Sequence, residues 1–342
     1  MVEGLPVRAV LCAVECPGYH REGARGAALD RSKTNPSTVS QPQFSMAKQR
    51  DDDHQSAVNF PSRMPVTLDL PERYLAAAPV IVTSPETRCG TTLVQRLLCA
   101  TDNAFVYGEE IGAQFRSLSA LFAAQIRQCD ANGAAMDEGF YRALSGALQE
   151  WRPGLTPPAR VVLSAWTEAF YQLPATLSAF GELVGRPIWG FKWPGCSLQD
   201  VRALRTLMPR TRVVYVLRNL PDALASAKAR LFVTTKEATA RYAANWAANV
   251  SAFMTLRDDP AVMILRYEDL LAEPDQTLAA LGAFTGAANM RRSELDVRVN
   301  TFQGLEADGH SATQYIAPAT LTDEDWAVLR AHAGQIMAEH YP

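Results

Sequence analysis

The sequence predicts an α/β protein whose P-loop-type parallel sheet carries helices on both faces. Short apolar runs alternate with amphipathic helical segments from residue 79 to the C-terminus. Strands that are apolar along their whole length are typical of sheets buried on both faces, and alternation with helices is typical of parallel sheets. The first of these strands also leads into a glycine-containing loop and a helix, an order that favours anion binding.

The composition indicates a globular chain without a general affinity for nucleic acid or membrane. Its 342 residues include 33 Lys+Arg and 36 Asp+Glu, which give a net charge of −3. A chain of this length forms one large domain or two ordinary ones. Because the charges nearly balance, we expect no nucleic-acid partner. No apolar run reaches the roughly 18 residues of a membrane-spanning helix, so we expect no membrane partner.

The cysteines predict neither a disulfide framework nor a zinc site. They stand at positions 12, 16, 89, 99, 129 and 196, and no two of them form a CxxC pair. The apolar stretch at residues 9–14 is too short for the core of a signal peptide. We therefore expect a cytoplasmic protein that uses no metal. The sequence leaves its oligomeric state open.

The first 70 residues differ from the rest of the chain. Residues 17–65 are rich in polar residues and proline and show neither helical nor strand periodicity. Such a segment buries too little apolar surface to offset the entropy lost on ordering. We expect residues 1–70 to form a disordered or loosely packed tail before one domain at residues 71–342.

Four strands are predicted in that domain, at residues 79–83, 188–192, 212–217 and 261–265. Helices are expected at residues 91–100 and 109–129 and from residue 221 onward. A further helix has one apolar face formed by Tyr242, Trp246, Val250 and Phe253. The last helix begins at a capping box, Thr322 to Asp325, and should bury Trp326, Leu329, Ala333 and Ile336. We also expect Trp166 in the core.

The loop after the first strand is the strongest functional signal. Residues 84–90, Ser-Pro-Glu-Thr-Arg-Cys-Gly, which we call the anion loop, lead into the helix that begins at Thr91. N–H groups at a helix start lack intrahelical partners and carry positive potential, so they bind anions such as phosphate. Arg88 adds charge, and Thr91 and Thr92 add hydroxyl donors. The alternative is an ordinary capped helix beside an exposed Arg88.

This loop differs from the one that nucleotide triphosphatases use. A Walker A loop requires GxxxxGK[ST], whereas Thr91 stands here in the place of the lysine. The strand at residues 212–217 also lacks the terminal aspartate that would hold Mg²⁺. A P-loop kinase or NTPase is therefore disfavoured, although it remains the rival enzyme class.

Three segments in this order resemble sulfotransferases that use 3′-phosphoadenosine 5′-phosphosulfate (PAPS). Residues 88–93, R-C-G-T-T-L, resemble the 5′-phosphosulfate loop of that family. Residues 213–226 resemble its 3′-phosphate motif, in which a strand ends in arginine and a serine follows eight residues later. Residues 265–270, L-R-Y-E-D-L, resemble its strand-to-helix segment. Further likeness, to tyrosylprotein sulfotransferases and their bacterial relatives, comes from Gly108-Glu-Glu, Lys192, Arg230 and residues 311–318.

The resemblance implies a role for each matching residue. It makes PAPS the sulfuryl donor and a hydroxylated molecule the acceptor. Arg88 and Lys192 would stabilise charge at the transferred group, and Glu110, or else Glu109, would be the catalytic base, because no histidine follows the loop before residue 310. The residues implied to bind the cofactor are Arg88, Cys89, Gly90, Thr91, Thr92, Arg218, Ser226, Arg230, Tyr267, Ser311 and Thr313.

Each role has a purely structural alternative. Glu109 and Glu110 would also suit the positive end of a helix dipole, and Lys192 could lie along an apolar wall with its charge in solvent. Arg218 could form a surface ion pair with Asp222. In the same way, Arg230 could belong to a solvated helix face and Tyr267 to the core.

Three positions depart from the family pattern. Cys89 replaces the usual loop serine, and Ala317 stands where the tyrosylprotein subgroup has a cofactor-contacting lysine. Residues 111–114, Ile-Gly-Ala-Gln, lack the arginines that those enzymes place near acidic peptides. This last departure argues against an acidic tyrosine-containing peptide and is compatible with a glycan, a phenol or another small hydroxylated acceptor, while tyrosine itself stays among the expected acceptors. A non-catalytic nucleotide-binding module of the same fold is the second rival.

Overall fold

The computed structural model describes residues 76–147, 155–296 and 316–341. The predicted tail, residues 1–70, and the first residues of the predicted domain lie outside these ranges. The disorder of the tail and its boundary with the domain therefore stay predictions.

A single parallel sheet organises the described part of the chain. Its five strands pair in the order β2-β3-β1-β4-β5, and every pair is parallel. In the central register, Ile81 lies opposite Phe191 on one side and Val213 on the other. The strands are β1 (Val80–Thr83), β2 (Ala104–Tyr107), β3 (Ile188–Lys192), β4 (Arg212–Leu217) and β5 (Val262–Arg266).

Nine α-helices are described in residues 76–147, 155–296 and 316–341, with a 3-10 turn at Arg292–Leu295. They are α1 (Thr91–Cys99), α2 (Glu109–Leu144), α3 (Ala159–Leu183), α4 (Leu198–Leu207), α5 (Leu220–Ala229), α6 (Lys236–Met254), α7 (Tyr267–Ala272), α8 (Pro274–Thr285) and α9 (Asp323–His340). None of the described helices is long and apolar enough to cross a membrane.

The helices cover both faces of the sheet, which confirms the predicted α/β class. Along β1, Val80 and Val82 pack into one apolar cluster with residues of α1 and α8. Ile81, between them, belongs to the other cluster, which contains residues of α2, α3, α6 and α9. Successive residues of a strand point to opposite faces. A strand buried on both sides must therefore be apolar throughout, as the sequence of β1 is.

The four predicted strands are present, with β5 shifted by one residue, but the sequence analysis missed β2. This strand has four residues at the edge of the sheet, and Phe105 within it is 41% exposed. A run this short, with an exposed aromatic side chain, does not show the buried pattern of the other strands. The helix predicted at residues 109–129 is also longer than expected, because α2 continues to Leu144.

The α9 helix confirms one detail of the prediction and corrects another. The capping box at its start is present: the Thr322 hydroxyl accepts from the Asp325 N–H, and the Asp325 carboxylate accepts from the Thr322 N–H. Leu329 and Ala333 are buried as predicted, whereas Trp326 is 38% exposed. Asp325 takes the inward position instead, because Lys228 of α5 offers it an ion pair at 2.6 Å.

The topology places the functional candidates at one edge of the sheet. All the strands are parallel, so their carboxyl ends meet at that edge. The anion loop follows β1, Glu109 opens the helix after β2, and Lys192 ends β3. Arg218 follows β4, and Tyr267 follows β5.

Candidate active site

The anion loop ends in two residues with positive φ. Arg88 has a φ of 69° and Gly90 a φ of 100°, and α1 begins directly afterwards at Thr91. A non-glycine residue in this region is uncommon and strained. A Cβ atom on Gly90 would overlap the ring of Tyr267, so this position requires glycine for space as well as for conformation. In the first turn of α1 the Leu93 N–H donates to the Gly90 carbonyl oxygen at 3.0 Å, which leaves the N–H groups of Thr91 and Thr92 without an intrahelical partner.

Arg88 connects the anion loop to α5. Its Nε donates a hydrogen bond to the Ser226 hydroxyl at 3.2 Å. Arg218 in turn donates from Nη1 to the backbone carbonyl of Arg88 at 3.0 Å. Burial, together with the positive charges of Arg230 and Arg218, lowers the pKa of Arg88. The structure thus brings together four of the predicted cofactor ligands from two sequence segments, the anion loop and residues 218–230.

Two guanidinium groups of this cluster have buried N–H groups without partners. Within the described residues, no hydrogen-bond acceptor meets Nε of Arg218 or Nε and Nη2 of Arg230. Neither side chain forms an ion pair with a described carboxylate, so the alternative pair between Arg218 and Asp222 is not formed. Buried hydrogen-bond donors normally have acceptors, because a donor that leaves water without gaining an acceptor costs free energy. An anionic ligand would supply those partners.

Tyr267 contacts both the loop and the arginine cluster. Its ring packs against Gly90, and the guanidinium carbon of Arg218 lies 4.5 Å from the ring centroid. This distance is typical of a cation–π contact. Tyr267 therefore fixes the position of Arg218 relative to the start of α1.

Lys192 forms a second charged group at the same edge. Its Nζ lies 2.9 Å from Oε1 of Glu109 and donates to the Thr92 hydroxyl at 3.3 Å. Its side chain is only 13% exposed, whereas that of Glu109 is 57% exposed. The side chain of Glu110 is exposed and makes no hydrogen bond or ion pair with a described residue. Of the two predicted base candidates, Glu109 is the one that contacts Lys192.

Cys89 belongs to the buried apolar core beneath the loop. Its side chain is fully buried, and Sγ lies 3.9 Å from the carbonyl oxygen of Thr87. Burial raises the pKa of the thiol to about 12, so it is neutral at physiological pH. Replacing the usual loop serine therefore leaves only the backbone N–H of Cys89 for a ligand. Thr91 is buried, and Thr92 is exposed beside Lys192.

Two predicted ligands cannot be placed. Ser311 and Thr313 lie outside the described residues, and Ala317, which is described, is exposed. In the described ranges, no group of three or more His, Cys, Asp and Glu side chains is arranged to hold a metal ion.

The side chains that support the anion loop were not predicted from the sequence. The Glu86 carboxylate accepts from the Thr87 N–H at 3.2 Å and from Asn245 at 3.0 Å. Burial raises the pKa of Glu86. Asn249 donates to the Pro85 carbonyl oxygen at 3.2 Å. The helical spacing of hydrogen-bonding residues in α6 could have indicated a polar face on this helix. The sequence does not indicate that this face contacts the anion loop.

The chain matches the model of a known protein family. A model of the sulfotransferase family matches residues 79–291, which include β1 to β5 and the candidate site up to Tyr267. No curated protein matches the sequence.

Among solved structures, sulfotransferases are similar at low sequence identity. The sulfotransferase domain of the Synechococcus PCC 7002 olefin synthase is 14% identical, with a TM-score of 0.38 over 74% of this chain and 94% of that chain. A sulfotransferase from Mycobacterium tuberculosis H37Rv is 16% identical, with a TM-score of 0.35 over 75% and 76%. Retinol dehydratase in complex with androsterone and the inactive cofactor PAP is 14% identical, with a TM-score of 0.41 over 77% and 82%.

Proposed function

This chain belongs to the sulfotransferase family, and we propose that it transfers the sulfuryl group of PAPS to a hydroxyl group of a small acceptor. PAPS would supply the activated sulfuryl group and, after transfer, leave as 3′-phosphoadenosine 5′-phosphate (PAP). The acceptor class proposed from the sequence is a glycan, a phenol or another small hydroxylated molecule.

The convergence of Arg88, Arg218, Arg230 and Ser226 beside the start of α1 carries this proposal. PAPS has phosphates at two positions, and the site has two kinds of anion-binding group. The N–H groups at the start of α1 suit the 5′-phosphosulfate. The buried, unpartnered donors of Arg218 and Arg230, with the Ser226 hydroxyl, suit the 3′-phosphate, since guanidinium groups bind phosphate oxygens bidentately.

Lys192 and the two glutamates are assigned to the transfer itself. Sulfuryl transfer requires a base for the acceptor hydroxyl and positive charge near the oxygens of the group that moves. Lys192 lies next to Thr92 of α1 and supplies that charge. The Glu109 carboxylate is paired with Lys192, while the Glu110 carboxylate is exposed and has no partner among the residues that the structure describes. Glu110 is therefore proposed as the base, with Glu109 holding the lysine in place.

Calorimetric titration tests the cofactor assignment. Wild-type protein is titrated with PAP and, separately, with ATP–Mg²⁺, beside the variants Arg218→Ala and Arg257→Ala. Arg257 is the control, because its side chain is 74% exposed and, among the described residues, forms an ion pair only with its neighbour Asp258. We expect PAP to bind the wild type. Its affinity should fall about 10- to 100-fold in Arg218→Ala, the value of a charge-assisted hydrogen bond, and stay unchanged in Arg257→Ala.

Two other results would point to the rivals. Preference for ATP–Mg²⁺, or equal affinity for nucleotides with and without the 3′-phosphate, would contradict the proposal and favour a kinase or NTPase. Binding of PAP without turnover of PAPS against a panel of phenols, sugars and alcohols would favour the non-catalytic module.

A further inference from the structure

One face of α6 carries hydrogen-bonding side chains that all point to the anion loop. Tyr242, Asn245 and Asn249, which we call the α6 stripe, are spaced i, i+3 and i+7. In an α-helix this spacing places side chains on one face. Tyr242 is 5% exposed, Asn249 is half-buried and Asn245 is exposed, so the stripe is buried at its first residue and reaches solvent at its middle one.

The α6 stripe meets the loop one residue at a time. Each successive member of the stripe donates to the preceding residue of the loop, so the helix and the loop run in opposite directions. The contacts are Tyr242 Oη to the Thr87 carbonyl oxygen at 2.6 Å, Asn245 Nδ2 to Glu86 Oε1 at 3.0 Å, and Asn249 Nδ2 to the Pro85 carbonyl oxygen at 3.2 Å.

The same helix also fixes the neighbouring arginine. Trp246, one residue beyond Asn245, donates from its indole nitrogen to the Arg218 carbonyl oxygen at 3.2 Å. Arg218 then donates to the Arg88 carbonyl oxygen. The backbone at Arg88 is thus held from both sides: the α6 stripe fixes the residues before it, and Arg218 fixes its own carbonyl group.

The anion loop needs such support because of its conformation. Arg88 is a non-glycine residue with a φ of 69°, and it directly follows Thr87. Conformations of this kind persist only where surrounding contacts determine them. Without the α6 stripe, the loop would relax to conformations in which Arg88 and the N–H groups of α1 no longer converge. A ligand binds only the competent fraction, so its apparent dissociation constant rises as that fraction falls.

We propose that Tyr242, Asn245 and Asn249 are positioning residues that hold the anion loop in its ligand-binding conformation. The inference rests on the proposed function only in naming PAP as the ligand. The three side chains act on the loop backbone and on Glu86 and do not themselves contact the transferred group.

The test compares two tyrosine-to-phenylalanine variants. Tyr242→Phe removes a buried phenol that donates to the carbonyl of the anion loop. Tyr171→Phe is the matched control, since the Tyr171 phenol is also fully buried and donates to the carbonyl of Leu207, in the core between α3 and α4. Both variants keep the ring and lose the hydrogen bond from a buried phenol to a backbone carbonyl, so both should lower thermal stability.

Two readouts separate positioning from stability. The first is the dissociation constant of PAP by calorimetry. The second is amide hydrogen exchange of the segment at residues 84–90 in the ligand-free protein. We expect Tyr242→Phe to raise the dissociation constant about three- to tenfold, the factor that one net hydrogen bond represents, and to accelerate exchange in the loop. Tyr171→Phe should change neither readout.

The outcomes distinguish this inference from the proposed function. Wild-type affinity and wild-type loop exchange in Tyr242→Phe would overturn the inference. Failure of the wild type to bind PAP would overturn the proposed function. The amide hydrogen exchange of residues 84–90 in Tyr242→Phe would still decide whether the α6 stripe holds the anion loop. If Tyr242→Phe does not fold, Asn245→Ala decides, because this exposed residue tolerates truncation. It should accelerate loop exchange and weaken PAP about twofold, and unchanged exchange would contradict the inference.

Discussion

Gly90 offers a quantitative test of the candidate site. Replacing it with alanine has two separate effects. The alanine must adopt a φ of 100°, and the left-handed region costs a residue with a Cβ about 1–2 kcal/mol. The new methyl group also overlaps the Tyr267 ring. Forcing a packed ring to move costs roughly 1–3 kcal/mol more. Gly90→Ala should therefore lower the free energy of unfolding by about 2–5 kcal/mol.

Gly146 provides the control for the first effect alone. Its φ is 88°, and no atom lies within 4 Å of the position that a Cβ would take. Gly146→Ala should therefore show only the backbone effect, about 1–2 kcal/mol. Both variants are measured by urea unfolding. The difference between their losses of unfolding free energy is the cost of the overlap with the Tyr267 ring.

A double-mutant cycle isolates that part. Tyr267→Ala removes the ring, so Gly90→Ala in this background should lose only about as much stability as Gly146→Ala. The cycle should give a coupling of about 1–3 kcal/mol between positions 90 and 267. Additive effects, or equal losses in Gly90→Ala and Gly146→Ala, would refute the close contact on which the geometry of the site depends.

Two further predictions concern the transfer and the fold. Glu110→Gln should keep PAP affinity and lower kcat about 100- to 10,000-fold, the usual contribution of a general base; normal turnover in a steady-state assay, or a larger loss in Glu109→Gln, would move the role from Glu110. Lys228→Met should lower the free energy of unfolding by about 3–5 kcal/mol, because it leaves the buried Asp325 carboxylate without its cation. Burial alone would raise the pKa of Asp325, but hydrogen bonds from Lys228 and Thr322 lower it overall. The stabilisation from the ion pair is therefore present above the pKa that Asp325 has in the unfolded chain, and it is lost as the pH falls through the pKa that Asp325 has in the folded protein. Urea unfolding should then show a smaller difference in unfolding free energy between wild type and Lys228→Met below about pH 4.

The sequence sufficed for those parts of the site that follow from local order along the chain. Lys192, Arg218 and Tyr267 each stand where a predicted strand ends, and parallel strands bring such ends together. The anion loop was recognisable because a glycine joins a buried strand to a helix. The residues at the strand ends and the anion loop were predictable because the types of a few adjacent residues determine the local backbone conformation there.

Contacts between distant segments could not be predicted. Nothing in the residues around Asn249 indicates that its side chain meets the Pro85 carbonyl, 164 residues away. Asparagine on a helix is also ordinarily solvated. The ion pair between Lys192 and Glu109 could not be predicted either. Glu109 follows the edge strand β2, and the four residues of β2 do not show a recognisable strand pattern in the sequence.

A strained loop residue and several unpartnered arginine donors lie close together in the described fold, and this has a consequence for ligand binding. The positive φ of Arg88 and the unpartnered donors of Arg218 and Arg230 all lie at one edge of the sheet. The Glu268 carboxylate, near the same edge, is by contrast paired and accepts from the Asn219 N–H at 2.9 Å. A ligand that satisfies the arginine donors would therefore stabilise the folded state selectively, by an amount that grows with its concentration relative to its dissociation constant. The strain in the anion loop is thus best understood as part of a binding site formed before its ligand arrives, with α6 supplying the contacts that keep it in place.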